Sequence, residues 1–178
     1  MNSTFEMKGV SMKITEIIKK IEQDRNCSLV KRTTDFTSEL ALPKDLNYFF
    51  SNYNSLQMFV DKPYGIKIVS SNEFIPTSKR IYPEDDVIWE ELEGDLSNEW
   101  FLIAESEQIS QYISIDMSKS HFGYCYDSFL DTHATPGDSQ IIAKSFTELL
   151  ENLYSSKGEN WFWLTENFKS YGDAYDVR

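Results

Sequence analysis

Three stretches of the chain carry apolar residues at the i, i+3, i+4 and i+7 positions that form one face of an α-helix. The three stripes are Ile14, Ile17, Ile18 and Ile21; Leu46, Phe49, Phe50 and Tyr53; and Phe146, Leu149, Leu150 and Leu153. Ser11 is a suitable N-cap for a first helix that we expect to reach Asp24, after a flexible leader at residues 1–10. Pro43 suits the first turn of the second helix, and Ser145 opens a capping box for the third. The pattern therefore predicts three helices that each turn one apolar face to a core.

Period-two alternation, which is typical of β-strands, is clearest between residues 100 and 127. We expect three consecutive strands there, joined as an antiparallel meander. In the middle strand, Ile113 and Ile115 point to one face and are expected to pack on the helices. Tyr112 and Asp116 point to the other face, which we expect to be open to solvent.

Shorter apolar runs predict further strands at residues 56–60, 64–70 and 140–143, whereas residues 25–41 receive no assignment. The elements follow the order helix, helix, strands, helix, with no regular βαβ alternation. This order predicts an α+β fold, with a mostly antiparallel sheet of about six strands and helices packed on one face. We expect a single domain over residues 11–178.

Negative charge is concentrated in one part of the chain, although the net charge of the whole chain is −12. Residues 81–143 contain fourteen Asp and Glu but one base, Lys119, whereas the rest of the chain has fifteen acids and sixteen bases. Within this part, residues 86–92 predict a helical turn with Val87, Ile88 and Leu92 facing inward. The charge disfavours nucleic acid as a direct ligand and favours a basic protein partner. A solvated acidic surface that only aids solubility is the alternative.

Composition places the chain among globular proteins, since 40% of its 178 residues are hydrophobic. No apolar run approaches the roughly 20 residues that span a bilayer, and the first residues lack the apolar core of a secretory signal. Cys27 and Cys125 are therefore expected to be reduced thiols. These features predict a cytoplasmic protein that does not contact a membrane.

The residues that usually carry catalysis do not form a recognisable set. His121 and His133 are not at metal-binding spacing, and the chain has no Gly-rich phosphate loop and no nucleophile elbow. We expect Cys125 to be structural and His133 to lie beside Asp131 in a solvated loop. No catalytic, metal or cofactor site is predicted; an enzyme would need a closed polar pocket with a perturbed acid pair.

Four segments form an ordered series of motifs: LPKDLNYFFSNYN at residues 42–54, WFLIA at 100–104, ISID with GYCY at 113–126, and AKSFTELL at 143–150. In this order they resemble the motifs of the SUKH superfamily, the Smi/Knr-like cell-wall-assembly-regulator domains. The chain departs from that pattern at Ser55, where the family often has Gly, and in the turn after the Trp strand.

The resemblance implies a binding domain without catalytic activity. Bacterial members are largely immunity proteins that neutralise toxins, often nucleases, and the alternative is a regulatory scaffold without a toxin partner, as in the fungal relatives. The acidic segment is our first candidate for the contact with a basic toxin, and the polar face of the sheet is the second. The candidate residues are Glu84, Asp85, Asp86, Glu90, Glu91, Glu93, Asp95 and Glu99 in the segment, and Tyr112, Asp116, Tyr124 and Tyr126 on the sheet.

Overall fold

The computed structural model describes the backbone of residues 3–177 and the side chains of residues 13–106 and 108–177. This part of the chain forms five α-helices and seven β-strands. The helices are α1 (Ser3–Gln23), α2 (Lys44–Asn52), α3 (Thr77–Ile81), α4 (Ile88–Glu91) and α5 (Phe146–Ser156). The strands are β1 (Cys27–Lys31), β2 (Tyr53–Met58), β3 (Ile66–Ile68), β4 (Trp100–Ser106), β5 (Gln111–Asp116), β6 (Cys125–Asp127) and β7 (Ile141–Ala143). None of the described helices has the length and apolar character needed to cross a membrane.

All seven strands belong to one sheet, in which each strand pairs antiparallel with the next along the chain. The α+β class with an antiparallel sheet is confirmed, with seven strands where about six were expected. The additional strand is β1, within the unassigned residues 25–41. It pairs with β2 from Cys27 opposite Met58 to Lys31 opposite Tyr53.

The helices α1, α2 and α5 pack against one another on one face of the sheet, and all three predicted apolar stripes are buried there. Ile113 and Ile115 of β5 lie in the same core and are fully buried, as predicted. Two helix boundaries differ from the prediction. α1 begins at Ser3 rather than after Ser11, so the segment 1–10 is helical in its backbone from Ser3 onward. α2 ends at Asn52, and Tyr53 is already the first residue of β2.

The opposite face of the sheet is also covered, which corrects the expectation that it is open. Ile81 of α3 packs on one patch of this face, and the C-terminal residues Ala174 and Tyr175 pack on another. Ser114 of β5 donates a hydrogen bond to Thr77 Oγ1 of α3 at 2.8 Å, which holds α3 on the sheet. The sheet residues beneath these covers are Val69, Trp100, Leu102, Tyr112, Tyr126 and Ile141.

The C-terminal segment reaches this face by adding to the edge of the sheet at β7. Ile141 N donates to Gly172 O, and Ala174 N donates to Ser139 O, each at 2.9 Å. These bonds satisfy backbone groups that an exposed edge strand would leave free. The tail therefore closes one sheet edge and covers part of one sheet face.

Candidate partner-binding surface

The acidic segment, residues 84–99, connects α3 to β4 and forms α4 followed by a short 3-10 helix. Asp86 Oδ1 accepts a hydrogen bond from Ile88 N at 2.9 Å at the start of α4. Asp95 Oδ1 accepts one from Ser97 N at 2.8 Å and so caps the 3-10 helix. Two of the eight acidic side chains therefore stabilise the turns that display the other six.

The other six carboxylates of the segment point to solvent. Among the residues that the structure describes, none of the eight forms an ion pair with a Lys, Arg or His. Three other acids within residues 81–143 contrast with them: Glu105 pairs with Arg80 and Lys67, Asp116 is buried and Asp127 is half-buried. The six exposed residues are Glu84, Asp85, Glu90, Glu91, Glu93 and Glu99.

Aromatic side chains lie among these acids and form a groove beside α4. The rings of Tyr82 and Trp89 are perpendicular, with 6.3 Å between their centroids. Trp89 Nε1 donates to Pro83 O at 2.7 Å, which fixes the indole. Val87 was expected to face inward, but its side chain is 74% exposed. The groove has a volume of about 270 Å³ and is lined by Lys79, Tyr82, Glu84 and Trp89.

Buried contacts and hydrogen bonds position the acidic segment on the domain. Leu92 is buried, and its carbonyl oxygen accepts a hydrogen bond from Asn98 Nδ2 at 2.7 Å. Asp95 accepts a second hydrogen bond from the hydroxyl of Tyr175 in the C-terminal tail. Burial and this bond together raise the pKa of Tyr175 well above its usual value. The acidic segment is therefore packed against the domain and hydrogen-bonded to its C-terminal tail.

The second group of candidates is mostly internal. Tyr112, Asp116 and Tyr126 are buried, with exposed fractions of 8%, 0% and 0%. The Tyr126 hydroxyl donates to the Asp116 carboxylate, which also accepts a bond from Ser118 N at 2.7 Å. These side chains are therefore not offered to a partner in this structure, because α3 and the C-terminal tail cover that face. Tyr124 is half-exposed and remains a surface candidate.

His133 is buried rather than solvated beside Asp131, which corrects the sequence expectation. Its Nε2 lies 3.0 Å from Ser78 Oγ of α3, and its ring contacts the rings of Tyr82 and Trp100. Burial lowers the pKa of His133 to about 4, although the charge of Asp95 opposes the shift. The imidazole is therefore neutral at pH 7 and serves as a packing element under the acidic segment.

The two cysteine thiols are poor nucleophiles, because the pKa of each is raised. Cys125 is fully buried, and this burial raises the pKa of its thiol well above the usual value. Cys27 is half-buried, with a pKa raised to about 11 for the same reason. No group of three or more His, Cys, Asp or Glu within the described residues is arranged to hold a metal ion.

The groove beside α4 was not predicted from the sequence, because Val87 was expected to face inward. A usable signal was present, since Tyr82 and Trp89 are large aromatic residues within a run of acids. Aromatic residues on a protein surface are enriched at contact sites.

A model of the SMI1 / KNR4 family (SUKH-1) matches residues 15–152 of the chain, from α1 to α5. The protein therefore belongs to this family, in agreement with the four ordered motifs. It is also 34% identical over 167 residues to the immunity protein YokJ of Bacillus subtilis (strain 168). That alignment covers 93% of this chain and 97% of YokJ.

Proposed function

We propose that this protein is an immunity protein, which binds a basic, nuclease-type toxin directly and neutralises it without catalysing a reaction. The observation that carries the proposal is the 34% identity to a named immunity protein, which extends over nearly the whole of both chains. We place the action in the cytoplasm, where a nuclease would meet its substrate. The proposed mode of action needs no cofactor, nucleic acid or membrane.

The exposed carboxylates of residues 84–99 support a basic partner. A nuclease binds a polyanion and so carries a groove rich in Lys and Arg. A surface of unpaired carboxylates is complementary to such a groove, so it accelerates association and can occupy the place of the phosphates. The carboxylates without internal ion pairs are free to pair with a partner, because no intramolecular bond has to break first.

The test begins with the gene adjacent to the one that encodes this protein, which is expected to encode a toxin domain. Co-expression should protect a bacterial host from that domain, and the purified proteins should bind each other in calorimetry. Replacing Glu90, Glu91 and Glu93 together by Lys is expected to weaken binding by about tenfold or more. Circular dichroism should show an unchanged fold, because all three side chains are exposed.

A matched control reverses three exposed acids elsewhere: Glu16, Glu151 and Glu166. Each triple variant changes the formal net charge from −12 to −6, since each Glu→Lys substitution adds two charges. Equal losses in both variants would show that only the net charge matters, and the assigned surface would be wrong. An adjacent gene without a toxin, together with a lack of protection, would favour the regulatory scaffold.

A further inference from the structure

We propose that the groove beside α4 is an arginine pocket, in which Tyr82, Trp89 and Glu84 receive the guanidinium of an arginine side chain on the basic partner. The inference deepens the proposed function and rests on it, because it assigns one specific contact within the acidic surface. The partner is then a basic protein that presents at least one protruding arginine.

The aromatic walls of the groove are already in place. The Trp89 indole is fixed by its 2.7 Å hydrogen bond to Pro83 O, and Tyr82 stands perpendicular to it. Tyr82 is backed by the buried imidazole of His133, with 6.0 Å between the ring centroids. A side chain that enters the groove therefore meets rigid rings, and few side-chain conformations have to be frozen on binding.

Two carboxylates near the groove would attract a cation. The Glu84 side chain lines it, and burial together with the nearby charge of Asp86 raises the pKa of Tyr82, so both carboxylates act on the same site. Neither has an ion-pair partner among the described residues. Lys79 is the one base among the lining residues, and it is exposed on α3, where its flexible stem can carry the ammonium into water.

The combination of rings and a carboxylate fits a guanidinium better than it fits other side chains. A guanidinium stacks its flat face on an aromatic ring while its edge donates two parallel hydrogen bonds to a carboxylate. A lysine ammonium cannot do both in this way, because it is a compact and strongly hydrated charge. An aliphatic side chain would remove water from Glu84 without giving it a partner, which is unfavourable.

The first test needs no toxin. The full chain, labelled with ¹⁵N, is titrated with N-acetyl-arginine amide, and the four indole N–H resonances of the tryptophans are followed by NMR. N-acetyl-lysine amide at equal ionic strength and N-acetyl-norvaline amide, which keeps the aliphatic stem without the guanidinium, are the matched ligands. We expect a saturable shift at Trp89 alone, with arginine binding about threefold or more tighter than lysine.

Three single variants complete this titration. Glu84→Gln should weaken arginine binding by about threefold, Glu166→Gln should leave it unchanged, and Lys79→Gln should strengthen it. The absence of a saturable shift at Trp89 would overturn the proposal. So would equal binding of the norvaline derivative, which would indicate an apolar pocket, or weaker arginine binding by Lys79→Gln, because loss of a like charge should not weaken a cation held by Glu84.

The second test uses the toxin domain that the protein neutralises. Glu84→Gln and Trp89→Leu should each weaken that complex by about tenfold, whereas Glu166→Gln should not. Glu84→Gln keeps the test valid if Trp89→Leu disturbs α4. Unchanged affinity for both variants would refute the arginine pocket and leave the immunity function standing. A lack of protection with a normal arginine titration would instead refute the immunity function.

Discussion

The hydroxyl of Tyr175 donates a hydrogen bond to Asp95 Oδ1 at 2.7 Å, so the C-terminal tail is joined to the acidic segment. The Tyr175 ring also packs edge-on against Trp100 of β4, with 5.6 Å between the centroids. The same carboxylate oxygen accepts the bond from Ser97 N that caps the 3-10 helix. One aspartate therefore fixes the local turn and fastens it to a segment from the far end of the chain.

Removing this hydroxyl should loosen that attachment. Tyr175→Phe is expected to lower the free energy of unfolding by about 1 kcal/mol, because a hydrogen bond to a charged group is lost while the ring still packs. Urea unfolding followed by far-UV circular dichroism measures the change. Tyr171→Phe is the matched control: its hydroxyl bonds to Glu148 at an exposed position, so a loss below about 0.5 kcal/mol is expected. Equal losses would contradict a specific role for Tyr175.

The Leu-Pro-x-Asp motif of the family has a physical explanation in this fold. Asp45 lies in the first turn of α2 and is buried. Its Oδ2 accepts hydrogen bonds from Thr147 N at 2.8 Å and from Thr147 Oγ1 at 2.9 Å, in the first turn of α5. A buried carboxylate is stabilised there by a free backbone N–H and by the positive end of the helix dipole. The motif residue thus joins two helices of the core.

Asp45→Ala should therefore destabilise the fold by about 2 kcal/mol, because it leaves a backbone N–H and a hydroxyl without their acceptor. Asp45→Asn should cost less, since the amide oxygen still accepts a bond while the charge is lost. Asp35→Ala is the control, because Asp35 is exposed and should change the stability by less than about 0.5 kcal/mol. Thermal unfolding of the three variants tests this ranking, and an Asp45→Ala variant as stable as Asp35→Ala would contradict it.

The burial of His133 predicts a dependence of stability on pH. Its pKa falls from the ordinary 6.5 to about 4 in the folded chain, chiefly through burial. Between pH 6.5 and about pH 4, His133 is mostly protonated in the unfolded chain but neutral in the folded chain. The free energy of unfolding therefore carries the full contribution of neutral His133 above pH 6.5. It falls by up to about 3 kcal/mol as the pH decreases towards 4.

Urea unfolding between pH 7 and 4 measures this slope, and His133→Gln provides the reference. The comparison is needed because the pKa of Asp127 is raised by its burial, and this carboxyl acts in the opposite direction as the pH falls. The difference between the wild type and His133→Gln isolates the histidine. Parallel pH curves for the two proteins would show that His133 is not held neutral by the fold.

The sequence was sufficient for the features that depend on local periodicity. The core positions of α1, α2 and α5 and the inward face of β5 follow from spacing alone. Tyr53 shows a limit of this reasoning: it continues the helical stripe of α2, yet it is the first residue of β2 and is buried there as well. Tyr53 faces the same core whether it continues the helix or begins the strand, so the apolar stripe does not reveal where the helix ends.

The candidate surface could be predicted only in part, because exposure depends on contacts between distant segments. The run of acids at residues 84–99 is visible in the sequence, and most of these residues are exposed. The burial of Asp116 and Tyr126 could not be seen, because it depends on α3 and on a tail that follows much later. Their alternation with apolar residues shows which face they occupy, but it does not show what covers that face.

Gly158, just after α5, is constrained both by its backbone conformation and by its neighbours. Lys157 ends the helix in the left-handed region, and Gly158 follows with φ of +71°. A Cβ on Gly158 would lie 2.6 Å from Phe59 Cβ and 2.8 Å from Lys62 Cβ. Gly158→Ala should therefore lower the free energy of unfolding by about 2 to 3 kcal/mol, from backbone strain and a steric clash.

Gly137 is the matched control for this substitution. It has φ of +88° but no neighbour within 4 Å, so Gly137→Ala should lower the free energy of unfolding by about 1 kcal/mol. Thermal unfolding of both variants measures the difference, and equal losses would show that the strain alone matters.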